Sequence, residues 1–210
     1  MGMIYLTNND NKYEGVINLP LLATVYNTLE IDLNLFDAII VTSKNAIKAL
    51  NNSSKEWHKK PIYSISKPTS DYIISLNGNV VYTGISGHGN DFANELIPIL
   101  HNKKVLYLKA AEVVSNLEDI LKQNGIDLAS YIAYETVCQS VNTKIESNSI
   151  IIFTSPSNID CFLKNFDWDS TNMAVCIGKT TALRLPEYIK YHISSKTSID
   201  ECIKLAKNLL

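Results

Sequence analysis

The stretch IIIFTSPSNIDCFL, residues 150–163, decides the fold. Ile150 to Phe153 form a short run of large apolar residues, the pattern of a strand buried on both faces. Thr154-Ser155-Pro156 stops that run, and Ile159 and Phe162 then resume at helical spacing. Ser155 is a good helix cap, and Pro156 suits the first helical position, where its missing N–H removes no bond. The stretch therefore reads strand, turn, helix. It recurs as IIVTSKNAIKAL at 39–50, with Ser43 in the place of Ser155. Superposing the two serines gives an offset of 112, which puts Ile47 and Leu50 on Ile159 and Phe162. Without a gap, the same offset carries IYSISKPTS at 62–70 onto AVCIGKTTA at 174–182, matching Ile65 with Ile177, Lys67 with Lys179 and Thr69 with Thr181. Two blocks that share one offset indicate an internal repeat.

A second correspondence uses another offset. VLYLKA at 105–110 resembles MIYLTN at 3–8, and NGIDLASYIAYET at 124–136 resembles EGVINLPLLATVY at 14–26. The closing element of one half thus comes first in the chain. That order predicts a discontinuous domain, 1–24 plus 141–210, around an inserted domain, 25–140, with strand-like crossings near 19–26 and 131–141. Short apolar runs alternate with helical patterns such as Leu117-Ile120-Leu121 and Ile203-Ala206-Leu209-Leu210. Such alternation implies parallel sheets covered on both faces. The expected fold class is α/β: two flavodoxin-like or Rossmann-like lobes with parallel sheets, joined by a two-stranded hinge, with a ligand cleft between them.

Bulk properties exclude several classes. A chain of 210 residues, 46% of them apolar, can bury a core large enough for an enzyme. Its formal charge of −2 gives no global basic field, so no nucleic-acid partner is expected and any anionic ligand must be met locally. Cys138, Cys161, Cys176 and Cys202 lie far apart with no CxxC pair, and read as reduced thiols in or near the core of a cytosolic protein. His58, His88, His101 and His192 show no metal-ligand spacing. The N-terminus lacks a signal pattern and no apolar run approaches membrane length, so a cytoplasmic protein with no membrane partner is expected.

In parallel α/β folds ligands bind outside the carboxyl ends of the strands, where helix starts present unpaired N–H groups. Helix capping alone accounts for Ser43 or Ser155 singly; a binding role follows if both copies face one cleft. GKTTA at 178–182 adds Gly178, Lys179, Thr180 and Thr181 at a further helix start, and lacks the spacing of a Walker A loop. Lys44, Lys67, Lys109 and Lys179 are each expected just after a strand. Singly each is an ordinary solvated lysine; together they line the sheet mouths with positive charge. Tyr134 lies on a crossing segment, as an interface packing residue or as a donor into the cleft. No Ser-His-Asp order and no matched carboxylates are evident.

IIFTSPSNI, IGKTTA, the Gly125-to-Tyr134 segment with its Tyr-x-Thr ending, and the permuted order together resemble the uroporphyrinogen-III synthase family over essentially the whole chain. The resemblance implies a cofactor-free lyase that closes hydroxymethylbilane, a linear tetrapyrrole with eight carboxylates, to uroporphyrinogen III in haem biosynthesis; a monomer is expected from the hinged architecture, whose lobes must move independently. Ring D is inverted and water is lost. The substrate would arrive by transient handover from hydroxymethylbilane synthase. The resemblance makes Tyr134 the catalytic candidate and Ser43, Thr69, Ser155, Gly178, Lys179, Thr180 and Thr181 cleft-lining residues. Thr181→Met is then expected to block the cleft by bulk. Two departures stand out: Ser66 where many relatives carry Gly, and KAAEVVSNL without the arginine often found there. The polar stretch 8–13 also replaces a helix usual in relatives, predicting a thinner cleft wall. The competing readings are a two-lobed binding module for an anionic metabolite, separable by turnover, and an interaction protein, which leaves the paired hydroxyl-rich turns unexplained.

Overall fold

A computed structural model describes residues 2–9, 13–54 and 56–210. Of the polar stretch 8–13, Asp10, Asn11 and Lys12 lie outside the described residues. Contacts divide the chain into two compact units, one running to Ala23 and resuming from Val137 to Leu210, the other Thr24–Thr136.

In the Thr24–Thr136 unit, β4 (Ala38–Val41) leads into α1 (Lys44–Ser53), β5 (Ile62–Ser64) into α2 (Lys67–Ser75), and β6 (Val80–Thr83) into α3 (Gly89–Leu100). β7 (Lys104–Ala110), α4 (Leu117–Gln123) and β8 (Asp127–Cys138) follow. With β3 (Leu22–Tyr26), they build a six-stranded sheet in the order β3-β8-β7-β4-β5-β6. The pairings from β8 through β6 are parallel. The other unit has β1 (Ile4–Thr7), β2 (Ile17–Asn18), β9 (Ile150–Phe153), α5 (Pro156–Asn165), β10 (Met173–Cys176), α6 (Lys179–Ala182), β11 (Tyr191–Ile193) and α7 (Ile199–Leu209). Its parallel five-stranded sheet runs β11-β10-β9-β1-β2. The two orders correspond strand for strand: β9 answers β4, β10 answers β5, β1 answers β7, and β2 answers the start of β8. The chain passes from one unit to the other inside β3 and again inside β8.

The repeated stretches form the elements their residues favour. β4 and β9 are buried along their whole length, as strands covered on both faces must be. α1 and α5 begin 112 residues apart and each holds ten residues. Each sheet has helices on both faces. Ile39, Val41, Leu106 and Leu108 pack beneath α1 and α2, with Ala46, Ile47, Leu50 and Ile73, while Ile40, Val105 and Tyr107 face α3 and α4, with Phe92, Leu96, Leu117 and Leu121. In the other unit Ile151 and Phe153 meet Ile159 and Phe162 of α5, and Ile152 and Val175 meet Cys202 and Ala206 of α7. Among the described residues no helix is long and apolar enough to cross a membrane.

Two expectations are corrected. Cys138 and Cys161 are not reduced thiols: they form a disulfide, with Cα atoms 5.3 Å apart, joining the last residue of β8 to α5. The pairing depends on β8 ending beside α5, a tertiary relation that cysteine spacing does not encode. Cys176 and Cys202 are free and buried. Lys109 is not beyond its strand but within β7, because β7 runs on to Ala110 to pair with the long β8.

Candidate active site

Each sheet ends its central strand in a Thr-Ser step. Thr42 and Ser43 follow β4; the Ser43 hydroxyl accepts the Asn45 N–H at 3.1 Å and caps α1. Thr154 and Ser155 follow β9, and Ser155 accepts both the backbone N–H and the side-chain Nδ2–H of Asn158, at 3.3 and 3.0 Å. The Thr154 hydroxyl donates to the Thr7 carbonyl at 2.9 Å and accepts from Asn158 Nδ2 at 3.0 Å, so β1, β9 and α5 share one network. The serines keep their capping role, which leaves the remaining N–H groups of the first turn as the donors such a site offers.

The other sequence-selected residues divide between surface and interior. Lys44, Lys67 and Lys179 are exposed first residues of α1, α2 and α6. Lys67 pairs with Asp71 one turn on, at 2.9 Å. Thr69 is buried and accepts the Ser66 hydroxyl at 3.3 Å. α6 is a single turn after Gly178, with Thr180 exposed and Thr181 only 4% exposed. Thr181 is therefore packed within its own unit.

Lys109 belongs to a network that sequence reasoning missed. Its Nζ donates to Glu118 of α4 at 2.6 Å; Lys122 Nζ and the Ser130 hydroxyl donate to the same carboxylate, each at 2.7 Å. Burial by itself would raise the Glu118 carboxyl, but the bonds from Lys109, Lys122 and Ser130, with the Lys109 charge, outweigh it and bring the pKa down to about 2. The network ties β7, α4 and β8 at the sheet mouth. Beside it is a cavity of 440 Å³ walled by Tyr107, Lys109, Ala111, Val113, Ser115, Asn116, Glu118 and Asp119. The Tyr107 phenol, 3.5 Å from the Thr42 hydroxyl, is pushed up by burial. Only the i,i+4 spacing of Glu118 and Lys122 was visible in the sequence. A larger hollow of 900 Å³, near Leu33, Phe36, His58 and Pro61, lies by the amino ends of β4 and β5 and contains none of the selected residues.

Tyr134 sits on β8, partly buried against the core beneath α1. Its backbone carbonyl accepts the Ala111 N–H at 2.9 Å. Burial drives the Cys176 thiol up to about 12, with further repulsion from Cys202, and also raises Cys202; neither thiol is a ready nucleophile.

Parallel sheets whose central strands run into hydroxyl-capped helices, an ionic network at one mouth and a tyrosine on a crossing strand define a two-unit α/β protein. The family model for uroporphyrinogen-III synthase HemD matches residues 13–204. The crystal structure of uroporphyrinogen-III synthetase from Helicobacter pylori 26695 is 32% identical over 100% of both chains, with a TM-score of 0.79. A mutant uroporphyrinogen III synthase from the extremely thermophilic bacterium Thermus thermophilus, 13% identical over 100% of this chain and 98% of its own, has a TM-score of 0.52 and shares the fold. No match was found among curated protein sequences. The chain belongs to the uroporphyrinogen-III synthase family, the cyclising lyases of haem biosynthesis.

Proposed function

We propose that the chain closes hydroxymethylbilane to uroporphyrinogen III with Tyr134 as proton donor and the two Thr-Ser helix starts as the main orienting surfaces. The observation that carries this reading is the repetition of one capped helix start, Ser43 on α1 and Ser155 on α5, at equivalent positions in a chain of this family. Departure of the bilane's terminal hydroxyl as water needs one proton, which the Tyr134 phenol supplies. The resulting azafulvene is attacked by the substituted carbon of ring D. The spiro intermediate then fragments and recloses with that ring inverted, and the final proton loss restores the pyrrole.

Such chemistry depends on orientation and water exclusion more than on a strong nucleophile. Helix-start N–H groups, Thr180, and Lys44, Lys67 and Lys179 are suited to hold carboxylates, with Ser43, Thr69, Ser155, Gly178 and Thr181 shaping the surfaces behind them. Lys109 takes part with the donors that Glu118 leaves it, since an ammonium has three. The protein acts as a cytoplasmic monomer on bilane handed over by hydroxymethylbilane synthase.

A coupled assay tests the reading. Bilane is generated in place by its synthase, this protein is added, and the oxidised uroporphyrin isomers are separated. The expected result is a protein-dependent shift from isomer I to isomer III. Persistence of isomer I with folded, concentrated protein would overturn the reading in favour of a binding module for an anionic metabolite. Tyr134→Phe is expected to lower the rate roughly tenfold without abolishing it, because one proton donor supplies only part of the barrier lowering.

A further inference from the structure

The parallel pairing of β7 with β8 changes register next to Tyr134. Lys109 stands opposite Ile132, but the next residue, Ala110, stands opposite Tyr134, leaving Ala133 as an extra residue on β8. A bulge of this kind reverses the alternation of side chains beyond it. Before the bulge, Leu128 packs on the α3 and α4 face and Ala129 on the α1 and α2 face. Continued alternation would send Tyr134, an even-numbered position like Leu128, to the α3 and α4 face. Instead Ala133 and Tyr134 both pack against the core beneath α1 and α2. That is the side on which α1 begins at the Ser43 cap.

Asn27 holds the bulge in place. Its backbone N–H donates to the Ala133 carbonyl at 3.0 Å and its side-chain Nδ2 to the Ile132 carbonyl at 2.9 Å. With Ala111 bonded to the Tyr134 carbonyl, three successive carbonyls of β8 are secured, two of them by one residue. Ahead of the bulge the strand is fixed by Ser130 on Glu118. A bulge left unclamped could slide along the strand and return Tyr134 to the other face.

We propose that Asn27 is a positioning residue for Tyr134, acting through the bulge at Ala133 to set the phenol on the α1 side of the sheet. This rests on the reading of Tyr134 as proton donor. The test is a double-mutant cycle in the coupled assay, with kcat and KM measured for the wild type, Tyr134→Phe, Asn27→Ala and the pair. Asn27→Ala is expected to lower kcat roughly threefold to tenfold, with KM changed by less than about twofold. Combined with Tyr134→Phe it should lower kcat no further. Asn27→Asp, which keeps the backbone donor and loses the side-chain donor, should repeat the effect. Multiplicative losses in the pair, an unchanged kcat, or a change confined to KM would each overturn the proposal. Failure of both Asn27 variants to fold would make Asn27 part of the scaffold and overturn it equally. An unchanged kcat in Tyr134→Phe, by contrast, would remove the donor reading itself.

Discussion

The two units share one strand order but secure it differently. In Thr24–Thr136 the helix after the central strand is joined to β3 by a hydrogen bond, from the Tyr26 hydroxyl to Asn45 Oδ1 at 3.2 Å. An offset of 112 carries Tyr26 to Cys138 and Ala49 to Cys161, and there the same helix, now α5, is joined to the end of β8 by the disulfide. Beneath α1 the core is largely aliphatic and includes Leu50. Beneath α5, Phe162 stands in the place of Leu50 and meets Phe153 edge-on, with Phe166 and Trp168 beside it. The Thr24–Thr136 unit has its ionic network at Glu118, whereas the corresponding mouth uses the hydroxyls of Thr7 and Thr154 on backbone carbonyls. A duplicated scaffold thus preserves topology while its fastenings diverge.

That contrast can be broken experimentally, beginning with the cores. Phe162→Ala is expected to cost about 4 kcal/mol and Leu50→Ala about 3 kcal/mol by urea unfolding, since the aromatic leaves the larger void. Equal losses would mean that the neighbours of Phe162 collapse into the larger void and cancel its extra cost. Next comes the covalent link. With the cysteines 23 positions apart, Cys138→Ser should lose about 3 kcal/mol in oxidising buffer and nothing in reducing buffer. A loss that persists under reduction would assign the effect to the side chain instead of the bond.

The ionic network ranks third. Glu118→Gln should cost about 2 kcal/mol at neutral pH, through the loss of charge-assisted bonds at a carboxylate only 20% exposed. The folded carboxyl lies near 2 against an ordinary 4.5, so its contribution is complete above about pH 4.5 and disappears as pH falls toward 2. The difference between wild type and variant should shrink over that window, and a pH-independent difference would contradict the charge-based account. The smallest effect is at the caps. Ser43→Ala and Ser155→Ala should each cost about 1 kcal/mol in thermal unfolding, with the larger loss at Ser155, which accepts two bonds to the single bond of Ser43.

Where local chemistry governs an element, the sequence was sufficient. The Thr-Ser-Pro step placed the start of α5 because capping and proline preference act within four residues, and the shared offset then placed α1. The permuted order was legible because β1 and β7 keep their buried runs. What escaped depends on chain segments distant in sequence. Nothing in the sequence sets Glu118 apart from other acids on a helix; β7 and β8 bring Lys109 and Ser130 to it. The bulge at Ala133 has no residue signature, because it is a mismatch between two strands and belongs to neither alone. α6 was expected as a helix start and is a single turn, Lys179–Ala182.

The register of β1 against β9, Ile4 on Ile150 through Thr7 on Phe153, has a consequence for biosynthesis. As the chain leaves the ribosome, its first strand must wait for a partner that follows an entire inserted unit, roughly ten to thirty seconds at ordinary translation speeds. The inserted unit can complete its own core during that interval, while Ile4, Tyr5 and Leu6 have β2 on one side and not yet β9 on the other. The newborn polypeptide therefore keeps one edge of β1 open until the strand that closes it has been made.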